Sequence, residues 1–126
     1  MEQVTQEQLE MCCRKWQERL RLQDWKVEIR PVPRWEIEPS QAQVAYCVEK
    51  KHARISIGRT DEYDPCESGI GDVEQHLVHE LLHLHFWWLE QGEKGAPRYV
   101  LHEHAINLIA EALMEAHRGE GNQGDG

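Results

Sequence analysis

One segment limits the possible folds more than any other. It is Val73 to Leu89, a strongly apolar run that carries His79, Glu80 and His83 within it. Val73, Leu77, Leu81, Leu84 and Trp88 recur at helical spacing and form an apolar stripe on the side away from both histidines. Val78 and Leu82 add further uncharged neighbours, so three polar groups ride on a helix that is otherwise fit for burial. Imidazoles and a carboxylate buried without partners are costly, and the fold has to satisfy them. Asp72 reads as the cap of this helix, with Gln75 as its capping-box partner.

The remaining elements follow from periodicity. Thr5 and Gln8 form a capping-box signature ahead of Leu9, Cys12, Cys13, Trp16 and Leu20, which predicts a first helix over roughly 6–21. Trp25, Val27 and Ile29 alternate with charged residues, which predicts a half-buried strand ended by Pro31 and Pro33. Val44, Tyr46 and Val48 predict a second strand, and Lys50-Lys51-His52 a turn into a third over 53–57. Gly58 to Gly71 reads as a polar loop. Pro97 suits the first turn of a last helix reaching about His117. The expected fold class is α+β: a helix, a three-stranded mainly antiparallel sheet, then the apolar helix and a C-terminal helix. With 126 residues the chain fits a single domain, 1–118, and the apolar-poor stretch 119–126 is expected to be disordered.

Composition narrows the function. Seven of the eight histidines lie between Lys51 and Leu108, a local excess that points to metal chemistry. A formal net charge of −9 disfavours nucleic acid as a partner, because phosphate contact draws on clustered Lys and Arg. The four cysteines (Cys12, Cys13, Cys47, Cys66) lack CxxC spacing and read as reduced and mostly packed. Met1-Glu2-Gln3 is acidic and no apolar run reaches spanning length, so a cytoplasmic protein without membrane association is expected.

The sequence His79-Glu80-Leu81-Leu82-His83 has a physical logic. Residues four apart on a helix share a face, so both imidazoles can reach one cation at about 2.0–2.1 Å. Glu80 lies about 100° around the helix, where it can accept a proton from a metal-activated water. A catalytic zinc needs a third protein ligand and an open fourth position. Glu103 is the first candidate, on one helical stripe with Asn107, Ala110 and Met114; His104 is the next. Asn107, one turn on, is placed to orient a ligand by hydrogen bonding. Tyr99, Tyr63, His76 and His104 are candidate donors to a tetrahedral oxyanion, and His76 is more readily a polar rim residue than a ligand. His85 faces away, Trp87 falls near the Glu80 side of the helix, and Trp16, Trp25 and Trp35 read as packing residues.

HELLH followed by a glutamate on the next helix resembles the gluzincin zinc metallopeptidases. The small size and element order are similar to minimal gluzincins (minigluzincins) and SprT-like domains. The resemblance implies a zincin-like fold, Zn2+ as cofactor, and hydrolysis of a peptide or protein substrate with Glu80 as general base. In that family the glutamate opens an ExxxD segment; here Asn107 stands where the aspartate would be. The resemblance further implies that the last strand before the metal helix, Arg54–Ile57, pairs with extended substrate. Two other functions fit the same residues: a zinc-bound domain with a regulatory or very narrow proteolytic role, and a DNA-associated SprT-like protease, which the acidic charge disfavours.

Overall fold

The computed structural model describes residues 5–38, 40–58, 70–87 and 97–123. It is an α+β arrangement of three helices and a three-stranded mixed sheet. Helix α1 spans Gln6–Arg19, strands β1, β2 and β3 span Lys26–Val32, Ala42–Cys47 and His52–Gly58, and helices α2 and α3 span Ile70–His83 and Pro97–Gln123. None of the helices in the described residues is long and apolar enough to cross a membrane.

α1 opens on the predicted capping box: the Thr5 side chain accepts from Gln8 N–H, and the Gln8 side chain accepts from Thr5 N–H. Arg21, at φ 61°, reverses the chain after the helix. The buried amide of Gln17 fixes that reversal by donating to Leu22 O at 3.2 Å and Trp25 O at 2.9 Å.

The sheet departs from a meander. Its order is β1-β3-β2, with β1 parallel and β2 antiparallel to the central β3. β2 and β3 form a tight hairpin through 48–51, with Lys51 at φ 50°. The longer 33–41 connection, including a 3-10 turn at Arg34–Glu36, carries the chain across the sheet. Three strands at about 4.8 Å spacing are easily bridged by a connection of that length, so β3 can insert between its predecessors. The expected mainly antiparallel sheet is therefore mixed.

Pro31 lies within β1 and does not end it. Because β1 is an edge strand, one side of its backbone has no ladder to complete, and proline is tolerated there. Gln6 covers part of this edge by donating to Ile29 O at 2.6 Å.

One sheet face builds the core in layers that run across all three strands. Ile29, Ile55 and Val44 form one layer; Val27, Ala53 and Tyr46 form the next. α2 lies over this face and is buried through Val73, Leu77, Val78, Leu81, Leu82 and Leu84. Its bounds differ from the expected 73–89. The helix is already formed at Ile70, so Asp72 lies inside its first turn and does not cap it. It ends at His83, after which Leu84, His85 and Phe86 each bond three residues back and tighten the chain. Trp88, the last member of the predicted stripe, lies outside the described residues. Trp16 and Trp25 are in the core as expected, whereas Trp35 is exposed on the 3-10 turn. Cys12 and Cys13 pack against the core, and burial pushes their thiols up to about 12 and about 11. Cys47 is exposed, and Cys66 lies outside the described residues. α3 continues through Gln123, so the expected loose tail is helical over its first five residues.

A polar clasp joins the three helices. Glu74 Oε2 accepts from Trp16 Nε1 at 2.6 Å and from Lys15 Nζ at 2.8 Å, with His117 Nε2 at 3.8 Å. Burial opposes the Glu74 charge, yet hydrogen bonds from Lys15 and Trp16 outweigh it and hold its pKa below the ordinary 4.5. A depressed carboxylate contributes stability above its unfolded pKa and loses it as pH falls through the folded value. Glu74→Gln should therefore cost on the order of 1 kcal/mol at pH 7. Urea titrations should show the gap to the parent closing as pH falls below the 4.5 of a free carboxylate; a gap of constant size would mean that the charge is not what stabilises the clasp.

Candidate metal centre

α2 and α3 bring three donors together. His79 and His83, one turn apart at the end of α2, face Glu103 in the second turn of α3. His79 Nε2 lies 3.1 Å from Glu103 Oε2, and His83 Nε2 lies 2.9 Å from Glu103 Oε1. The two imidazole rings are 5.1 Å apart between centroids, and the candidate ligand atoms all fall within 4.8 Å of one another. Hydrogen bonds from His79 and then His83 hold the Glu103 carboxyl far below the usual carboxylate range despite its partial burial. Glu103 is thus a fixed anion aimed at both histidines.

The motif falls in the last turn of α2 and not mid-helix, which places it at the negative end of the helix dipole. His83 is buried and His79 is partly so. Glu80 is only 8 % exposed and contributes to the same cleft.

That cleft has a volume of about 640 Å³. Its helical wall includes His76, His79, Glu80, His83, Tyr99 and Glu103, and Asn107 stands at its margin on α3. The opposite wall is β2 and the residues just before it, Ser40 to Val44 and Tyr46. The strand beside the candidate centre is therefore β2 and not the predicted 54–57 segment. β3 is paired on both sides and has no free edge to offer a substrate. Strand alternation located β2 in the sequence, but the crossover that makes it an edge leaves no mark in the pattern.

The other sequence candidates separate clearly. His76 and Tyr99 both line the cleft, so both can present a donor to it. Asn107 lines it too, and its amide donates to Glu111 Oε1 at 3.5 Å. His104 is exposed and outside the lining, which removes it as the third ligand. His85 is turned away as expected, its Nε2 donating to Leu20 O at 2.5 Å. Trp87, placed near the Glu80 side from sequence, is exposed and does not wall the cleft. Tyr63 lies outside the described residues. His102, about 100° to one side of Glu103 on the helix, has its ring 5.9 Å from that of His83 and 6.1 Å from that of Phe86.

The chain matches no family model, curated protein or solved structure. The reading of the centre rests on its own residues.

Two imidazole nitrogens and one carboxylate oxygen suit a first-row divalent ion such as zinc. Ligand distances near 2.0–2.2 Å place tetrahedral ligand atoms roughly 3.4 Å apart. Donors already within 4.8 Å need only small side-chain adjustments to reach that arrangement. Binding to the folded chain alone raises stability, by about 2.7 kcal/mol at a free metal concentration of 100 Kd. Calorimetry should show Tm rising with added zinc and falling back with chelator. Glu103→Ala and His83→Ala should each remove the response, and a full response in either variant would mean that the metal binds elsewhere.

Proposed function

We propose that this chain is a zinc-dependent peptidase of the gluzincin type, with His79, His83 and Glu103 as ligands and Glu80 as general base. The observation that carries the reading is the convergence of an N,N,O donor set with a buried carboxylate in a cleft walled by an edge strand. Three protein donors leave a tetrahedral ion one position for water or substrate, the pattern of a catalytic site. A zinc ion there would act as Lewis acid and lower the pKa of water towards about 7.

Glu80 then has one task, moving a proton. Its carboxylate accepts the proton of the attacking water and delivers it to the amine of the departing peptide fragment. Its neighbours on α2 exclude bulk water from one side, which strengthens the electrostatics of the transfer. An extended peptide along the outer edge of β2 would be held by backbone hydrogen bonds, with its scissile carbonyl toward α2. Tyr99 and His76 supply donors on the cleft wall for the oxyanion that develops on that carbonyl. Asn107 occupies the position that the family resemblance gives to an aspartate, and its amide engages Glu111.

The test separates metal from chemistry. Glu80→Gln should keep stoichiometric zinc by elemental analysis while cleavage of a fluorogenic peptide library falls by about 10²–10⁴-fold. Full activity in that variant would remove Glu80 from the mechanism. A zinc-loaded parent that cleaves nothing in the library would favour a regulatory domain or an enzyme with a single narrow target.

A further inference from the structure

α3 is apolar on two opposite faces, and among the described residues only one of them is packed. At 100° per residue, Glu103, Ile106, Ala110 and Met114 share the face turned to α2, where the last three are buried. Leu101, Ala105, Leu108 and Ala112 fall within about 60° of one another on the opposite side. All four are exposed, Leu101 to 69 % and Leu108 to 50 %, and Ile109 at 39 % widens the patch. A helix that is apolar on both sides is normally covered on both sides, and a contiguous apolar patch marks a binding surface.

We propose that this outer face of α3 is the dimer interface of the chain, pairing with α3 of a second copy in antiparallel fashion. The spacing of the four residues is 4-3-4, the seam of a two-helix coiled coil. The order of side chains selects the orientation. Turned about a two-fold axis between Ile106 and Asn107, Leu101 of one copy meets Ala112 of the other, and Ala105 meets Leu108. Every layer then pairs one large with one small side chain, which lets the helices approach to the near end of the usual 8–10 Å. In a parallel pairing leucine would meet leucine and alanine would meet alanine, alternating overfilled with underfilled layers.

Charge agrees with this choice. His104 and Glu111 flank the seam on one side and are both exposed. The same two-fold brings His104 of each copy within a helical turn of Glu111 of the other. In the parallel register, His104 and Glu111 of the two copies would lie on opposite sides of the seam and would not meet. The ligand Glu103 lies on the opposite face of the helix, so pairing leaves the cleft open to solvent.

Four layers of one helix pair make an interface at the small end of specific contacts, so the dimer should be concentration-dependent, with Kd on the order of micromolar. Sedimentation equilibrium of the full chain between about 1 and 200 μM tests it. The parent should pass from monomer to dimer. Leu108→Ala should raise Kd at least about tenfold, a loss of roughly 1.4 kcal/mol. Adding Ala105→Leu to that variant should restore pairing, because the exchange re-creates a large side chain opposite a small one. Both positions are on the surface, so circular dichroism should show unchanged helix content. A parent that stays monomeric at every concentration overturns the proposal. A dimer indifferent to Leu108→Ala, or a double variant no better than the single, overturns the antiparallel seam.

Discussion

Glu103 spans the gap between α2 and α3 with one carboxylate oxygen toward each of two histidines. Much of the remaining architecture follows from the need to place that contact inside the protein. α2 can be buried on nearly every side because its ionisable side chains have somewhere to go: His79 and His83 to Glu103, and Glu74 to Lys15 and Trp16. Unpaired, each of these groups would cost on the order of 1–3 kcal/mol or more, a large share of the stability of a domain this small. The three helices are thus joined by apolar packing and by two polar contacts, one at the start of α2 and one at its end.

The helices and the cluster of possible metal-holding residues were legible in the sequence because both depend on local spacing. Period 3.6 located α1, α2 and α3, and the i, i+4 relation placed His79 and His83 on one face before any tertiary contact was known. Glu103 could be chosen over His104 because the helical spacing puts it on one stripe with Asn107, Ala110 and Met114, of which Ala110 and Met114 are buried. Asn107, one turn on from Glu103, stays exposed at the margin of the cleft, so the buried stripe passes through Ile106 and not through Asn107.

What local pattern could not carry was the order of strands. Alternation says which residues of Val44–Tyr46 face inward, but the same alternation serves an edge or a central strand. The 33–41 connection decides that β3 inserts between β1 and β2, and its length permits the crossover without demanding it. The consequence reaches the cleft directly, because the wall opposite the histidines becomes β2. The end of α2 was equally hidden. No glycine or proline separates His83 from Leu89, and the helix stops where backbone bonds shorten to three residues and His85 engages Leu20.

That early stop changes the electrostatics of the centre. With the motif in the final turn, the negative end of the α2 dipole lies close to the region where a cation would be held, although the carbonyls of Leu81, Leu82 and His83 already accept from Leu84, His85 and Phe86. The magnitudes decide how far this matters. A helix terminus contributes about 0.3–1 kcal/mol to a nearby charge, and about 2 in a partly buried setting, whereas a full set of protein ligands contributes about 10–16 kcal/mol to zinc. Ligand identity therefore sets whether metal binds, and the dipole only adjusts the affinity. Glu80 adds a second carboxylate to the cleft beside His79, His83 and Glu103. In the proposed reaction, two carboxylates close together favour a divalent ion and oppose the negative charge that would build on a substrate carbonyl. That reaction would need donors on the opposite side of the carbonyl, and Tyr99 and His76 are the lining residues proposed to supply them.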